Sequence, residues 1–337
     1  VKLLEYVEDE EAKALNHEIV GRIRNLEEIR DCFVLAQQVE HPGRVSWLEY
    51  NNRVFLKTSP VDVSAILKEK LFAPLDCAVL TSATISISNS FQHFLGEVGL
   101  EPDTFTLIVD SPFAYDRQME LMVVKDMLDK GESDLFNVNE LARFIAEVTE
   151  RMQGRTLVLF TAHRFLREVY HPLCRYLDST GIEILAQGID GGRQAILEAF
   201  LNNPRSVLLG ANSFWEGIDI PGNKLACVIV VKLPFGPPNR PLIAARAEYL
   251  EAQGKNSFYE YLLPEAVIRF KQGFGRLIRS KTDRGIVILC DGRVIEKRYG
   301  RIFLNSLPLK THSRSTRQQI IDKIDIWLDE EQQKQLL

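Results

Sequence analysis

From Glu10 to about Gln38, apolar residues recur at Leu15, Ile19, Ile23, Leu26, Ile29 and Phe33. Steps of three and four predict one amphipathic helix, unusually long for a globular core. Val45–Tyr50 and Arg53–Lys57 then read as strands about an Asn51-Asn52 hairpin turn. Ser64–Leu71 has the pattern of a short helix, and Ala78–Thr81 that of a buried strand.

After Gly99 the rhythm changes. Short, β-branched, non-alternating runs occur at Leu121–Val124, Thr156–Phe160, Ile182–Leu185, Val207–Leu209, Ala226–Val231 and Ile286–Leu289, as in strands buried on both faces. Helical patterns at Val138–Met152, Arg164–Leu177, Arg193–Leu201 and Pro264–Ile278 alternate with them. This alternation predicts an α/β fold with a doubly wound parallel sheet flanked by helices. Ile320, Ile321, Ile324 and Trp327 mark a terminal helix that docks on it. The expected domain break falls near residues 99–112, with 99–337 a complete α/β unit and 1–98 a segment whose strands need neighbours from elsewhere.

Composition changes this picture little. With 45% hydrophobic and 26% charged residues, the 337-residue chain is globular in type and long enough for two domains. No run of about 18 apolar residues exists, so no helical membrane span is expected. The chain begins with Val in an acidic stretch without a signal pattern, and is expected to be part of a longer polypeptide. Cys32, Cys77, Cys174, Cys227 and Cys290 are scattered without a C-x-x-C pair. That argues against a disulfide framework, a zinc site or an iron–sulfur cluster, and suits a reducing cytoplasm. Cys227 and Cys290 lie in apolar runs and are expected to be buried thiols. The net charge of −5 gives no general attraction to polyanions, yet from Arg269 to Arg301 basic residues far outnumber Asp283, Asp291 and Glu296. Local fields of this kind steer polyanions.

In an open parallel sheet, ligands bind beyond the carboxyl ends of the strands. Short polar loops follow the predicted strands there: Thr81-Ser82-Ala83-Thr84, Phe160-Thr161-Ala162-His163, Ala186-Gln187-Gly188 and Gly210 through Asp219. Each alone is a weak signal and reads more readily as a capping turn. In the helix predicted over Pro264–Ile278, Gln272, Arg276 and Arg279 fall at i, i+4 and i+7, on one face. Guanidinium forks on such a face match phosphate oxygens. Gly273 and Gly275 weaken a helix by about 1 kcal/mol each relative to Ala, so each needs a reason. Close approach to a ligand or another domain is one, and packing against the sheet is the other.

Taken in order, these strings resemble the C-terminal half of superfamily 2 helicases of the DinG/XPD-like branch. Thr81-Ser82-Ala83-Thr84 resembles motif III, Thr156–Thr161 motif IV and Gln187-Gly188 motif IVa. Ser213-Phe214-Trp215-Glu216-Gly217-Ile218-Asp219 resembles motif V, and Gln272 through Ser280, with Asp283 and Asp291-Gly292-Arg293 following, motif VI. The resemblance runs from about Thr58 to Arg301. It implies a RecA-like second domain over 99–337, preceded in 1–98 by the last helix of an arch insertion and the closing strands of a first RecA-like domain. It further implies an ATP-dependent 5′→3′ DNA helicase of DNA-repair type, with single-stranded DNA and the N-terminal RecA-like domain of the same parent chain as partners. No G-x-x-x-x-G-K-[ST] and no D-E-A-H box occur. ATP and Mg²⁺ are therefore expected to be held mainly by that missing half, and the chain alone to be inactive.

Carried over position by position, the resemblance makes Arg279 an arginine finger, Arg276 a γ-phosphate or carboxylate-network contact, and Gln272 the residue that orients them. Gly217, Asp219 and Glu216 fall near ribose and phosphates, and Ser82 and Thr84 couple ATP state to domain closure. Thr161, Gln187 and Ser213 bond the backbone of a single strand. Trp215 either stacks on a base or, the more ordinary role, is buried behind motif V. Ala162 and Ala211 stand where relatives often carry Ser and Thr, so those two contacts are not expected here. The competing reading is an ATP-independent nucleic-acid-binding or interaction module that keeps motif VI for structure.

Overall fold

The computed structural model describes residues 10–37, 43–127, 137–215, 217, 220 and 222–335. In chain order its first half has α1 (Glu10–Gln37), β1 (Arg44–Tyr50), β2 (Val54–Pro60), α2 (Ser64–Leu67, continued by a wider turn to Phe72), α3 (Gln92–Val98), α4 (Tyr115–Gln118), β3 (Met119–Val124), α5 (Val138–Arg151), β4 (Thr156–Phe160) and α6 (His163–Leu177). Then come β5 (Glu183–Ala186), α7 (Arg193–Asn202), β6 (Ser206–Ala211), β7 (Cys227–Val230), α8 (Pro241–Ala252), α9 (Leu263–Phe274), β8 (Gly285–Leu289), α10 (Arg293–Glu296), α11 (Gly300–Asn305), β9 (Ser313–Ser315) and α12 (Arg317–Gln335). None of the described helices is long and apolar enough to cross a membrane.

The chain divides into two compact units. The smaller comprises the described residues up to Ala78 together with Leu95–Glu101 and Pro237–Glu260. Its β1 and β2 form the expected antiparallel hairpin, paired from Arg44↔Pro60 to Tyr50↔Val54. Asn52 supplies the left-handed turn residue at φ 56°. α8 packs on β1, and a part-buried Arg246–Glu97 ion pair ties it to the Leu95–Glu101 segment. Phe55, Ile66 and Leu71 are exposed, as are Leu26 and Phe33 on α1.

The larger unit holds a seven-stranded sheet in the order β5-β6-β4-β7-β8-β3-β9, parallel throughout. One face buries Val158, Leu209, Ile229 and Ile288 against α5, α6 and α12. The alternate residues Leu157, Leu208, Val228 and Val287 point to the other face and are fully buried too, with Leu159 of that set approaching Gly273 of α9. Period-2 side-chain alternation with both faces dry is why the strand sequences are continuously apolar. Ile320, Ile321 and Ile324 of α12 dock as expected, and Cys227 and Cys290 are fully buried.

Three expectations differ from this structure. α9 stops at Phe274, with Gly275 as its C-cap at φ −66° and ψ 0°, so Arg276 and Arg279 do not share a helix face with Gln272. Ala78–Thr81 forms no strand, pairs with nothing among the described residues, and leaves Val79 82% exposed. The compact units also do not divide at residue 98: Val79–Phe94 belongs with the sheet, and Pro237–Glu260 with the hairpin.

Candidate functional site

Parallel pairing brings Phe160 of β4 level with Ala211 of β6, and Ala186 of β5 level with Leu209. The loops that follow these three adjacent strands therefore open at one edge. There the Gln187 amide donates to Ser213 Oγ at 2.9 Å, and its carbonyl oxygen accepts from Ala211 N–H at 2.9 Å. Two of the expected strand-contact residues are thus joined in one network. Thr161 lies one residue beyond β4 at the same edge, partly buried. Among the described residues no hydrogen bond links it to that pair.

The Gln187 loop is braced from behind. Asp190 Oδ2 accepts from Ala186 N–H at 2.8 Å, while its Oδ1 accepts from the Tyr170 hydroxyl at 3.0 Å. Burial, and then the bond to Asp190, push the Tyr170 phenol well above its ordinary range. Neither residue carried a sequence signal, since their pairing depends on where α6 packs.

Beyond β6 the chain makes a short helical turn over Asn212–Phe214 and delivers Trp215 inward. Trp215 is 1% exposed, and its indole N–H donates to the Phe160 carbonyl at 2.8 Å. It is a packing residue, not a stacking platform. Gly273 owes its identity to this ring, because a Cβ there would stand 2.8 Å from Trp215 Cε3 and 3.2 Å from Leu159 Cδ1. Packing against the sheet is therefore the reason for Gly273, whereas Gly275, with φ −66° and no close contact at its Cβ position, has no structural requirement for glycine here.

The same Trp215 receives motif VI from the other side, its carbonyl accepting from Arg276 Nη2 at 3.2 Å. Gln272, one turn earlier, has its Oε1 buried with no hydrogen-bond partner among the described residues. Leaving such an acceptor unmet costs about 1–3 kcal/mol, so this position is built to receive a donor. Gly217 adopts φ +66°, and its carbonyl accepts from Arg193 Nη2 at 2.6 Å, a contact the sequence did not signal. Glu216 and Asp219 lie outside the described residues.

Arg279 sits in a turn held from three sides. Asp283 Oδ2 accepts from the Arg279 and Ser280 peptide N–H groups, each at 2.8 Å, and Oδ1 accepts from the Ser280 hydroxyl at 2.7 Å. The buried Gln118 amide donates to the Ser280 and Asp283 carbonyls, each at 2.9 Å. Burial lowers the Arg279 pKa and the Asp283 carboxylate opposes the shift; a guanidinium keeps its charge regardless. Nearby, buried Asp291 accepts from Leu233 N–H at 2.8 Å and pairs with Arg293 at 2.6 Å, fixing the loop that leaves β7. Ser82 and Thr84 form a local hydroxyl turn, with Thr84 N–H donating to Ser82 Oγ at 3.2 Å. That segment is tied to α9 where Lys271 Nζ donates to the Ser86 carbonyl at 2.6 Å.

Comparison with known proteins agrees with this arrangement. Residues 145–310 match the family model described as the helicase C-terminal domain. A Bacillus subtilis protein named 3′-5′ exonuclease DinG is 39% identical over 80% of this chain and 30% of its own length. ATP-dependent DNA helicase YoaA of Haemophilus influenzae is 38% identical over 81% of this chain and 42% of its own length. ATP-dependent DNA helicase DinG of Photobacterium profundum is 33% identical over 89% and 44%. The chain thus spans less than half the length of these relatives. Among solved structures, S. tokodaii Xpd4 superposes with a TM-score of 0.54 at 17% identity, covering 77% of this chain and 49% of that one. An XPD helicase gives 0.55 at 20% identity, covering 77% and 46%. At those identities the likeness is one of fold.

Proposed function

The chain belongs to the DinG/XPD-like superfamily 2 helicases as their C-terminal region, and on that premise we propose that it is the second motor domain of an ATP-dependent 5′→3′ DNA helicase. It supplies the arginine side of an ATP site and a surface for the sugar–phosphate backbone of single-stranded DNA. The observation that carries the reading is the meeting of motifs V and VI at Trp215, whose carbonyl accepts from Arg276 and whose ring packs on Gly273, next to the unmet Gln272 acceptor in the chain.

The residues present fit one side of a triphosphate site. Two guanidiniums offer charge and hydrogen bonds to phosphate oxygens, the unmet Gln272 Oε1 is open to a donor such as a water or a guanidinium, and the sequence has no phosphate-cradling P-loop. The first RecA-like domain of the same parent polypeptide supplies that loop and the Mg²⁺ ligands. ATP brings the phosphoanhydride bond whose hydrolysis drives movement. In this chain Arg279, its peptide pinned by Asp283, meets the charge that develops on the transferring phosphoryl oxygens. Arg276 and Gln272 hold and orient the phosphate end. The ribose and phosphate contacts are assigned to Gly217, Glu216 and Asp219, and Ser82 and Thr84 couple the nucleotide state to closure of the two domains. Thr161, Gln187 and Ser213 bond phosphates of the strand, which gives binding without base readout.

The test uses a protein that carries both motor domains. Arg279→Ala lowers ATP turnover about 10³-fold or more and leaves single-strand affinity within a few fold. Thr161→Ala weakens strand binding while sparing basal ATPase, and leaves the salt slope nearly unchanged because a hydroxyl neutralises no phosphate. Steady-state ATPase and fluorescence anisotropy read both. Near-normal turnover in Arg279→Ala, or strand binding lost as badly as in Thr161→Ala, rejects the division into an ATP side and a strand side. This chain alone, lacking a P-loop, shows no nucleic-acid-stimulated ATPase.

A further inference from the structure

The edge of the sheet opposite the motifs carries a cavity of about 530 Å³. Arg155 enters β4, Ala226 precedes β7 and Arg284 precedes β8 at its wall, so it lies at the amino ends of the strands, and α12 contributes Trp327. No residue assigned above to ATP or to the DNA strand lines it.

Three guanidiniums reach this cavity, and their pairing differs. Arg151 bonds Asp325 at 2.9 Å, and Arg284 bonds Glu331 at 3.2 Å. The Asp283 carboxylate in the wall is taken up by the Arg279 and Ser280 N–H groups. Arg155 has no carboxylate within ion-pair distance among the described residues. Its Nε donates to the Met152 carbonyl at 3.0 Å, and burial lowers its pKa. A partly buried cation without a counter-ion is an expensive arrangement for a fold to keep. The turn that presents it is also strained. Gln153 and Arg155 adopt left-handed φ of 53° and 44°, a region that side chains with a Cβ seldom occupy. Between them Gly154 is obligatory, since a Cβ there would lie 2.5 Å from Ser206 N.

We propose that this cavity binds a mononucleotide-sized phosphate ester, its phosphate held by Arg155 and Arg151 and its ring lying against Trp327. Guanidinium forks match phosphate oxygens, an indole offers a flat apolar face to a ring, and the volume lies in the range of small-molecule sites. The wall at Thr282–Arg284 belongs to the turn that pins the Arg279 peptide, so occupancy stiffens the segment that carries the proposed arginine finger.

The test titrates the full chain with AMP and with adenosine while Trp327 fluorescence is followed. AMP gives a saturable change and adenosine gives none, a comparison that needs no variant. Trp327→Phe removes the signal. Arg155→Gln, checked for an unchanged circular-dichroism spectrum, weakens AMP at least ten-fold. Arg279→Ala leaves the isotherm unchanged, which keeps this site separate from the proposed ATP side. Equal responses to adenosine and AMP, a signal that survives Trp327→Phe, or an unchanged affinity in Arg155→Gln each overturn the proposal.

Discussion

Replacing Gly273 by Ala tests whether this glycine serves packing or ligand approach. The added Cβ would lie 2.8 and 2.9 Å from two ring carbons of Trp215 and 3.2 Å from Leu159 Cδ1. An ordinary carbon contact needs about 3.5 Å or more, so the ring has to retreat by more than half an ångström. It has nowhere convenient to go, being 1% exposed and pinned through its N–H to the Phe160 carbonyl at 2.8 Å. Overpacking of a tight core costs about 1–3 kcal/mol, and weakening the indole hydrogen bond about 1 kcal/mol more. Alanine's better helix propensity returns about 1 kcal/mol. The net is a destabilisation of about 1–3 kcal/mol, or a Tm lower by roughly 3–10 °C for a unit of this size. Thermal denaturation followed by circular dichroism reads it. In a Trp215→Phe background the smaller ring removes most of the clash, so the penalty of Gly273→Ala shrinks in a double-mutant cycle. A Tm equal to or above that of the parent protein, or an undiminished penalty in that background, refutes the packing argument.

Asp291→Ala strands the Leu233 N–H and removes the carboxylate partner of Arg293; because the Arg293 side chain is 40% exposed, the cost is about 2–3 kcal/mol rather than that of a fully buried pair, measurable by urea denaturation. Gln187→Ala removes the bonds to Ala211 N–H and Ser213 Oγ, which lowers stability by about 1 kcal/mol and, in a two-domain protein, weakens single-strand binding with basal ATPase intact. Burial raises the Glu120 carboxyl above its ordinary value of 4.5, with Lys323 opposing, so the folded state holds this proton more tightly than the unfolded chain. Its contribution is present below the ordinary value and lost as pH rises through the raised one, so Glu120→Gln raises Tm at about pH 7 and has little effect at about pH 4.

What could be read from the sequence depended on whether a residue's role is local. β4, β6, β7 and β8 were legible because each is dry on both faces, and burial of that kind leaves an unbroken apolar run. β9 was not, since Ser313–Ser315 pairs with β3 at the sheet edge through backbone alone. α8 was missed for the opposite reason: no residue of it is buried, so no apolar stripe marks a face. In α9 the periodicity runs too far, because Leu277 and Ile278 are buried at 2% and 3% yet lie between the end of the helix and the turn that Asp283 and Gln118 hold. Periodicity reports burial, and a tightly held loop buries side chains as well as a helix does. The order of Gln187, Ser213 and Gln272 could be read as motifs; Arg193, Gln118, Tyr170 and Asp190, which brace them, could not.

Ala78–Leu80 and Leu121–Val124 make the underlying point. Both are short apolar runs of strand-forming residues, and both predict a buried strand. Leu121–Val124 becomes part of β3 because β8 lies on one side and β9 on the other, which satisfies its backbone and covers both faces. Ala78–Leu80 carries the same signal but pairs with nothing among the described residues, and Val79 stays 82% exposed. A strand is a property of a sheet, so a single segment can only declare that it is suited to one. This distinction bears directly on function. Ser82 and Thr84 follow that unpaired run, so in the proposed function their reach toward a nucleotide is set by whatever sheet receives Ala78–Leu80. The Arg279 peptide is already held by Asp283, and the turn around it by Gln118, within this chain. The backbone that carries the proposed arginine finger is therefore held within this chain, whereas the proposed coupling side depends on a sheet that receives Ala78–Leu80.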